Sequence, residues 1–248
     1  MRFKNKVAVV TGSTSGIGKL CAECLAREGA AVMLTGTNEE RLKGAVKGIL
    51  DEGGRAAGML ADVRNYEEVE KVCNKAAELF GKIDILVACA GGASSRIFGV
   101  NKEFHEFPVE LLNWGIDVNL KGPLYFARAC MAHMVQHNSG VVILLGSISG
   151  EEGTDNAVDY AASKSALMGG ALKSLAQCGA PHGIRVCTVS PGPVLTREAM
   201  GRMKTLLGRA AETQEVVDLI LYMASEQAGI ITGTNVMIDG GRSSMLPS

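Results

Sequence analysis

No apolar run in this 248-residue chain is long enough to cross a bilayer, and none of its charges gather into a block of one sign. The first absence excludes a transmembrane protein of the helical kind. The second, with a net charge of −1, excludes a nucleic-acid surface and a polybasic membrane patch. Residues 1–6 carry Arg2, Lys4 and Lys6, but the apolar stretch behind them is only Val7 to Val10 before Thr11 and Gly12. Neither an export signal nor a membrane anchor is expected from that pattern. The seven cysteines are an odd number without the spacing of a disulfide framework, so reduced thiols in the cytoplasm are expected. Cys21 and Cys24 read C-x-x-C, but no second pair accompanies them, and in a helix they act as small apolar residues. His133 and His137 lie four apart without a carboxylate close in sequence, which suits a solvated helix end, and no metal is expected. No low-complexity linker divides the chain, so residues 1–248 read as one domain.

What is present is a 47% hydrophobic composition with 31 glycines, many placed just after apolar runs. Those are positions where a backbone turns sharply or approaches a ligand. The runs alternate with helical periodicity. Lys6–Thr11, Ala31–Thr35, Arg55–Ala61, Ile83–Cys89, Val141–Leu145, Ile184–Val189 and Asn235–Ile238 read as strands. Between them, Ile17–Glu28, Asn38–Asp51, Asn65–Phe80, Pro108–His137, Val158–Cys178 and Thr213–Ala224 read as helices, the second capped by Asn38 and the fourth with a kink near Gly122-Pro123. Strands nearly continuous in apolar residues, alternating with helices, imply a parallel sheet covered on both faces. The expectation is a three-layer, doubly wound α/β fold of the Rossmann type with about seven strands. Ligands of such a fold sit beyond the carboxyl ends of the strands.

The first of those ends reads TGSTSGIG, Thr11 to Gly18. Gly12 permits the turn out of the strand, Gly16 clears a path for a diphosphate, and Gly18 lets the helix pack on the sheet. Free N–H groups at the helix start then face the anion. Asp62, ending the third strand, can accept from an adenine amino group or cap the next helix. Tyr160 and Lys164, in YAASK, share one helix face. A lysine ammonium beside a phenol favours the phenolate and brings its pKa down from about 10, so the tyrosine can exchange a proton with an alcohol or ketone oxygen. Ser147 follows the apolar strand through Gly146, where its hydroxyl can hold the reacting oxygen, or serve only the turn.

Together these residues resemble the short-chain dehydrogenase/reductase family. The likeness spans nearly the whole chain and rests on TGSTSGIG at 11–18, Asp62-Val63, Asp117-Val118-Asn119, Ser147, Tyr160 thirteen residues later, Lys164, Pro191-Gly192 and Asp239-Gly240-Gly241. It implies an NAD(P)(H)-dependent oxidoreductase that interconverts a secondary alcohol and a ketone. Tyr160 would be the general acid and base, Lys164 would hold the nicotinamide ribose, Ser147 would orient the substrate oxygen, and Asn119 would kink its helix and hold a relay water. Cofactor contacts would come from Gly12, Ser13, Thr14, Ser15, Gly16, Ile17, Gly18, Gly36, Thr37, Asn38, Asp62, Val63, Cys89, Ala90, Gly91, Pro191, Gly192, Val194 and Thr196, besides Asn119, Tyr160 and Lys164. The likeness also implies a homotetramer or homodimer built on the helices around 108–137 and 158–178. Three departures stand out. Ala88-Cys89-Ala90-Gly91 replaces the family's Asn-Asn-Ala-Gly, the usual asparagine after the sixth strand is Cys187, and the helix after Lys164 is one residue longer (SALMGGALKSLA).

The second strand ends in Gly36, Thr37 and Asn38 rather than in the carboxylate that usually reads a ribose 2′-hydroxyl. That favours NADP over NAD, although no arginine stands where NADP enzymes often have one. The substrate pocket is expected from residues 92–98, 148–157 and 194–212. The acidic stretch with Glu151, Glu152 and Asp155 suits a polyol, a sugar or a cationic substrate, or is a solvated loop tip. Arg96 offers the opposite chemistry, a carboxylate partner. Phe98, Phe104, Phe107, Met200, Met203 and Leu206 can line an apolar pocket or pack in the core. An acyl-carrier-protein-linked 3-oxoacyl reductase, a hydroxysteroid dehydrogenase and a non-catalytic dinucleotide sensor or scaffold are the alternative functions.

Overall fold

The computed structural model describes residues 1–196 and 198–245. Residues 197 and 246–248 lie outside the description. Residue 197 falls within the 194–212 stretch expected to shape the pocket.

Seven strands form one parallel sheet: β1 (Val7–Thr11), β2 (Ala31–Gly36), β3 (Arg55–Leu60), β4 (Ile85–Ala88), β5 (Gly140–Leu145), β6 (Ile184–Pro191) and β7 (Thr234–Ile238). Their spatial order is β3-β2-β1-β4-β5-β6-β7. The helices are α1 (Gly16–Arg27), α2 (Glu39–Asp51), α3 (Tyr66–Phe80), α4 (Ser94–Phe98), α5 (Val109–Ile116), α6 (Gly122–Met134), α7 (Ser149–Glu152), α8 (Val158–Ala166), α9 (Leu172–Gly179) and α10 (Thr213–Ala224). The period of two in the strands builds two cores. Ala8 and Val10 of β1, with Val32 and Leu34 of β2, face α1, α2 and α10. Val9 and Met33 face the other way, toward α3, α6 and α9. A strand buried on both faces cannot alternate with polar residues, which is why all five residues of β1 are buried.

The chain reverses its direction of winding between β1 and β4, which are neighbours in register from Ala8 with Ile85 to Thr11 with Ala88. Doubly wound sheets open a crevice at such a reversal. Asn38 caps α2 as expected, accepting from the Arg41 amide at 2.9 Å. Asn65 caps α3, accepting from the amides of Glu67 and Glu68.

The long helices hold the main differences from expectation. The stretch expected as one helix over 108–137 is α5 and α6 joined by a π turn at Asp117–Lys121. The irregularity therefore falls on Asn119, just before Gly122-Pro123. The stretch after Lys164 contains a second π turn, Leu167–Ala171, between α8 and α9. A π turn holds one residue more than an α turn, so the residue by which this helix exceeds the family pattern is accommodated there without breaking the helix. Cys187 lies within β6, not after it. It is buried, and its thiol donates to the Ile231 carbonyl at 3.3 Å. Two short helices, α4 and α7, had no periodic signal to announce them, because neither is long enough to show one.

Candidate active site

The turn from β1 into α1 is shaped by three glycines with different duties. Gly12 takes φ +62° and packs so closely on the strand-4 loop that a Cβ there would stand 2.8 Å from Ala90 Cα. At Gly18 a Cβ would lie 2.5 Å from the Gly12 carbonyl oxygen, so the helix can close on the turn only without a side chain. Gly16, at φ +55°, is the open one, with only the Thr196 methyl within reach at 3.9 Å. Ser15 occupies the N-cap of α1 but makes no side-chain cap. Among the described residues no side chain caps the amides at that helix start, which suits an anion. Thr196 faces Gly16 from the loop after β6, closing the far side of the cleft. Ser13 is different from its expected role. Its hydroxyl is buried and bonded to the Thr35 backbone, accepting from the amide at 2.9 Å. It braces β1 against β2.

At the end of β2, the space above Gly36 is filled by Thr14, whose methyl would lie 2.7 Å from a Cβ. Thr37 and Asn38 are exposed beside it. Asp62 does not cap α3. Its carboxylate instead pairs with Arg64, Nε to both oxygens at 3.0 and 2.9 Å. The Arg64 guanidinium holds that carboxyl below the usual carboxylate range. Val63 is buried against Gly122. Ala90 donates its amide to the Thr11 hydroxyl at 3.0 Å, which ties the two strand ends of the crevice together. The Cys89 thiol, which stands where the family has an amide, is pushed up to about 12 by burial, with Lys164 pulling the other way. It is a neutral thiol at physiological pH.

Four side chains converge across the crevice from three elements. Asn119, fully buried in its π turn, accepts from the Gly92 amide at 2.8 Å and donates to the Gly92 carbonyl at 3.0 Å. It also donates to the Gly115 carbonyl at 2.9 Å. Lys164 is 2% exposed, and its Nζ donates to the Leu145 carbonyl at 2.6 Å. The same ammonium lies 5.5 Å from the centre of the Tyr160 ring. It would be 3.6 Å from a Cβ on Gly91, and Asn119 Oδ1 would be 2.6 Å from that atom. Ser147 accepts from the Ser149 amide at 3.1 Å and opens, with Tyr160, into a cavity of about 690 Å³.

That cavity is also lined by Ile17, Pro191, Gly192, Val194 and Thr196 on the side of the glycine turn. The substrate-side wall holds Ser95, Arg96, Asn101, Ser149, Thr154 and Asn156. The three carboxylates expected to shape it are not in the wall. Glu152 is bound instead to Arg242, Nε to Oε1 at 2.9 Å, and Arg242 also donates to the Lys204 carbonyl. Asp155 borders a separate small groove with Phe104 and Phe107. Of the six apolar residues singled out, Met200 and Met203 line the cavity. Phe98, Phe104 and Leu206 are exposed, and Phe98 stacks edge-on against Trp114 at 5.0 Å.

Sequence reasoning missed two contributors. Residues 99–101 enter the wall because Gly99 ends α4 in the left-handed conformation and turns the chain back. Asp159, next to Tyr160, is buried and accepts from Ser94 Oγ at 2.6 Å. A Cβ at Gly115 would stand 1.6 Å from Asp159 Oδ2, so α5 carries glycine there to admit the carboxylate. Only a mid-helix glycine hinted at this.

The Asp239-Gly240-Gly241 turn supports the loop after β6. A Cβ on Gly192 would be 2.7 Å from Asp239 Cα, and the Asp239 carboxylate accepts from the Gly241 and Ser243 amides at 2.9 and 2.7 Å. Burial works to raise this carboxyl, but the hydrogen bonds from Ser243 and Gly241 prevail and hold it below the usual range. A depressed carboxyl stabilises the fold above its unfolded-state value, about 3.9, and the contribution fades as pH falls through the folded-state value. Asp239→Asn is therefore expected to lower Tm by its full amount at pH 6–8. The gap to the unaltered protein should begin to narrow in melts recorded below about pH 4 and close as pH falls past the lower folded-state value.

Residues 12–243 match the family described as Enoyl-(Acyl carrier protein) reductase. The chain is 33% identical to a cis-4-hydroxycyclohexanecarboxylate dehydrogenase of Sinomonas cyclohexanicum, over 96% of this chain and 97% of that one. It is 33% identical to a 3-oxoacyl-acyl-carrier-protein reductase of Escherichia coli, over 97% and 98% respectively. A short-chain type dehydrogenase/reductase from Mycobacterium ulcerans superposes with a TM-score of 0.90 at 25% identity, covering 98% of this chain and 92% of that one. Whole-length likeness of sequence and fold identifies this chain as an oxidoreductase of the short-chain dehydrogenase/reductase family.

Proposed function

We propose that this protein interconverts a secondary alcohol and a ketone with a nicotinamide dinucleotide as the redox partner. The observation that carries this reading is the meeting of Tyr160 and Ser147 in one cavity that reaches Ile17 at the start of α1, with the Lys164 ammonium 5.5 Å from the centre of the Tyr160 ring and Asn119 gripping Gly92 of the cavity wall. The residues fit a dinucleotide. Gly16 leaves open the path that a side chain would fill, and among the described residues no side chain caps the α1 amides. Gly12 through Gly18 would hold the diphosphate, Thr37 and Asn38 the adenosine ribose, Lys164 the nicotinamide ribose, and Val194 with Thr196 the carboxamide. A nicotinamide bound there supplies or accepts the hydride. Tyr160 takes the hydroxyl proton as the carbinol carbon loses its hydride, and returns it when the ketone is reduced. Ser147 holds the same oxygen in line. Lys164, fixed on the Leu145 carbonyl, places a positive charge beside the phenol.

The absence of a carboxylate at Gly36, Thr37 or Asn38 favours NADP, since nothing there repels a 2′-phosphate. A second reading, reduction of a 3-oxoacyl thioester, draws support from the Escherichia coli relative. A panel of ketones, hydroxy acids, polyols, hydroxysteroids and 3-oxoacyl thioesters, followed at 340 nm (roughly the reduced-nicotinamide band) with each cofactor, separates them. Turnover of small carbonyl compounds, faster with NADPH, is expected. Binding of both cofactors with no turnover of any member would leave a dinucleotide sensor in place of an enzyme.

A further inference from the structure

We propose that Arg242 is a positioning and specificity-determining residue: its guanidinium ties together two walls on the substrate side of the cavity, and so sets the bulk of the substrate that can sit against Tyr160. This rests on reading the cavity as the alcohol–ketone site. One wall is α7, which begins at Ser149, two residues after Ser147. The other is the segment 200–207, which brings Met200 and Met203 to the cavity. The tie joins parts of the chain that are far apart. Glu152, the last residue of α7, lies 90 residues before Arg242, and Lys204 lies 38 before it. Nε of Arg242 stands 2.9 Å from Glu152 Oε1, Nη2 donates to Oε2 at 3.0 Å, and Nη1 donates to the Lys204 carbonyl at 3.0 Å. An ion pair on an open surface contributes little. This one has side chains only 24% and 32% exposed, and it takes the two-pronged geometry that guanidinium and carboxylate form best.

Each end of the tie is anchored. A Cβ on Gly150 would stand 2.7 Å from the Ser165 nitrogen and 2.8 Å from the Lys164 carbonyl carbon, so α7 lies directly on the backbone of the helix that carries Tyr160 and Lys164. The backbone of Arg242 is held between the amides of Gly241 and Ser243, both of which donate to the Asp239 carboxylate. The segment 200–207 rests on the same turn: Leu207 donates to the Gly240 carbonyl at 3.0 Å, and a Cβ on Gly240 would be 3.0 Å from Thr205 Cβ. The wall that carries Met203 is therefore fixed to the phenol-bearing helix through Lys204, Arg242, Glu152 and α7 in turn. Cutting the tie at Arg242 leaves that segment hinged on its Gly240 contact and lets the Met203 wall shift away from α7. The proton-handling groups keep their places, because the Lys164 ammonium is held by the Leu145 carbonyl. The loss then falls on binding and on discrimination by bulk, not on proton transfer.

The test compares the native protein with Arg242→Met, Arg242→Lys, Glu152→Ala and the double variant Arg242→Met/Glu152→Ala. Two readouts are taken: deuterium uptake over residues 200–208, and reduction of cyclohexanone, 4-methylcyclohexanone and 4-tert-butylcyclohexanone by NADPH, a neutral series of graded bulk. Uptake over 200–208 should rise in Arg242→Met and Glu152→Ala. KM for the best ketone of the series should rise by about 5- to 20-fold in each, with kcat and the NADPH Kd within about two-fold. The kcat/KM ratio between that ketone and its bulkier neighbour should narrow. The double variant should be no worse than the poorer single one, because both cut the same tie. Arg242→Lys should fall between native and Arg242→Met, since an ammonium keeps the charge but loses the fork. A merely structural role would lower Tm and kcat together and leave KM alone. The proposal is overturned by that pattern, by unchanged uptake over 200–208 in both single variants, or by losses in the double variant that equal the sum of the two. The uptake readout needs no turnover, so failure of the alcohol–ketone reading looks different: uptake would still rise, but no ketone or alcohol would show turnover sensitive to Tyr160→Phe, and the substrate role of Arg242 would fall with that reading.

Discussion

Tyr160→Phe is expected to lower kcat by at least about 100-fold while leaving cofactor affinity within about two-fold, the range that loss of a positioned general acid and base produces. The substitution removes one oxygen and almost no volume. Tyr160 sits in α8 on the same face as Lys164, whose ammonium is fixed on the Leu145 carbonyl and does not depend on the phenol for its place. The helix is held from the other side by the buried bond between Asp159 and Ser94. Phenylalanine should therefore fold, bind dinucleotide and present an intact cavity without a proton donor. Titrating reduced nicotinamide by fluorescence checks the affinity, and single-turnover kinetics check the chemistry. Turnover retained within ten-fold would move the proton-transfer role to another group. Ser147→Ala should be milder, because it removes an orienting hydroxyl rather than the proton itself.

The sheet was legible in the sequence because buried parallel strands leave an unmistakable mark: VAVVT, AVMLT, ILVA and VVILL cannot be surface segments. The proton-transfer pair was legible because helix geometry alone puts residues 160 and 164 on one face. What was not legible depended on contacts distant in sequence. Ser13 reads like every other residue of the glycine turn, yet its partner is the Thr35 backbone, 22 residues away, and it faces inward. Asp62 was open to two readings, an adenine contact or a helix cap, and Asn65 proved to hold the cap position at the start of α3. The acidic loop drew attention by composition, but Glu152 is engaged by Arg242, 90 residues on. Among the described residues, the wall that does meet the cavity is neutral apart from Arg96. The two π turns illustrate the same limit. An asparagine in a long helix and an extra residue in another were visible as oddities, but only the hydrogen-bond geometry shows that each becomes a five-residue turn.

Gly18→Ala is expected to be the most damaging single-methyl change in the glycine turn. The added carbon would be 2.5 Å from the Gly12 carbonyl oxygen, 2.9 Å from its carbon and 3.1 Å from the Thr11 carbonyl oxygen. All three are backbone atoms, so no side chain can swing aside, and α1 must lift from the turn. Overpacking of this kind costs about 1–3 kcal/mol. Gly12 is itself pinned, since it lies against Ala90 and has φ +62°. The displacement would therefore fall on the start of α1, where the uncapped amides stand. Affinity for both NAD and NADP should drop together by at least about ten-fold, roughly the 1.4 kcal/mol lower part of that range. Gly16→Ala is the control. A Cβ there meets only a methyl at 3.9 Å, so the unloaded protein suffers chiefly from the φ of +55°, a cost of about 1 kcal/mol. If dinucleotide passes over Gly16, that variant should lose affinity out of proportion to its lost stability, whereas Gly18→Ala should lose both. Melting curves and cofactor titrations on the two variants separate a packing glycine from a ligand-facing one, and equal behaviour of the pair would contradict the placement of the diphosphate at the start of α1.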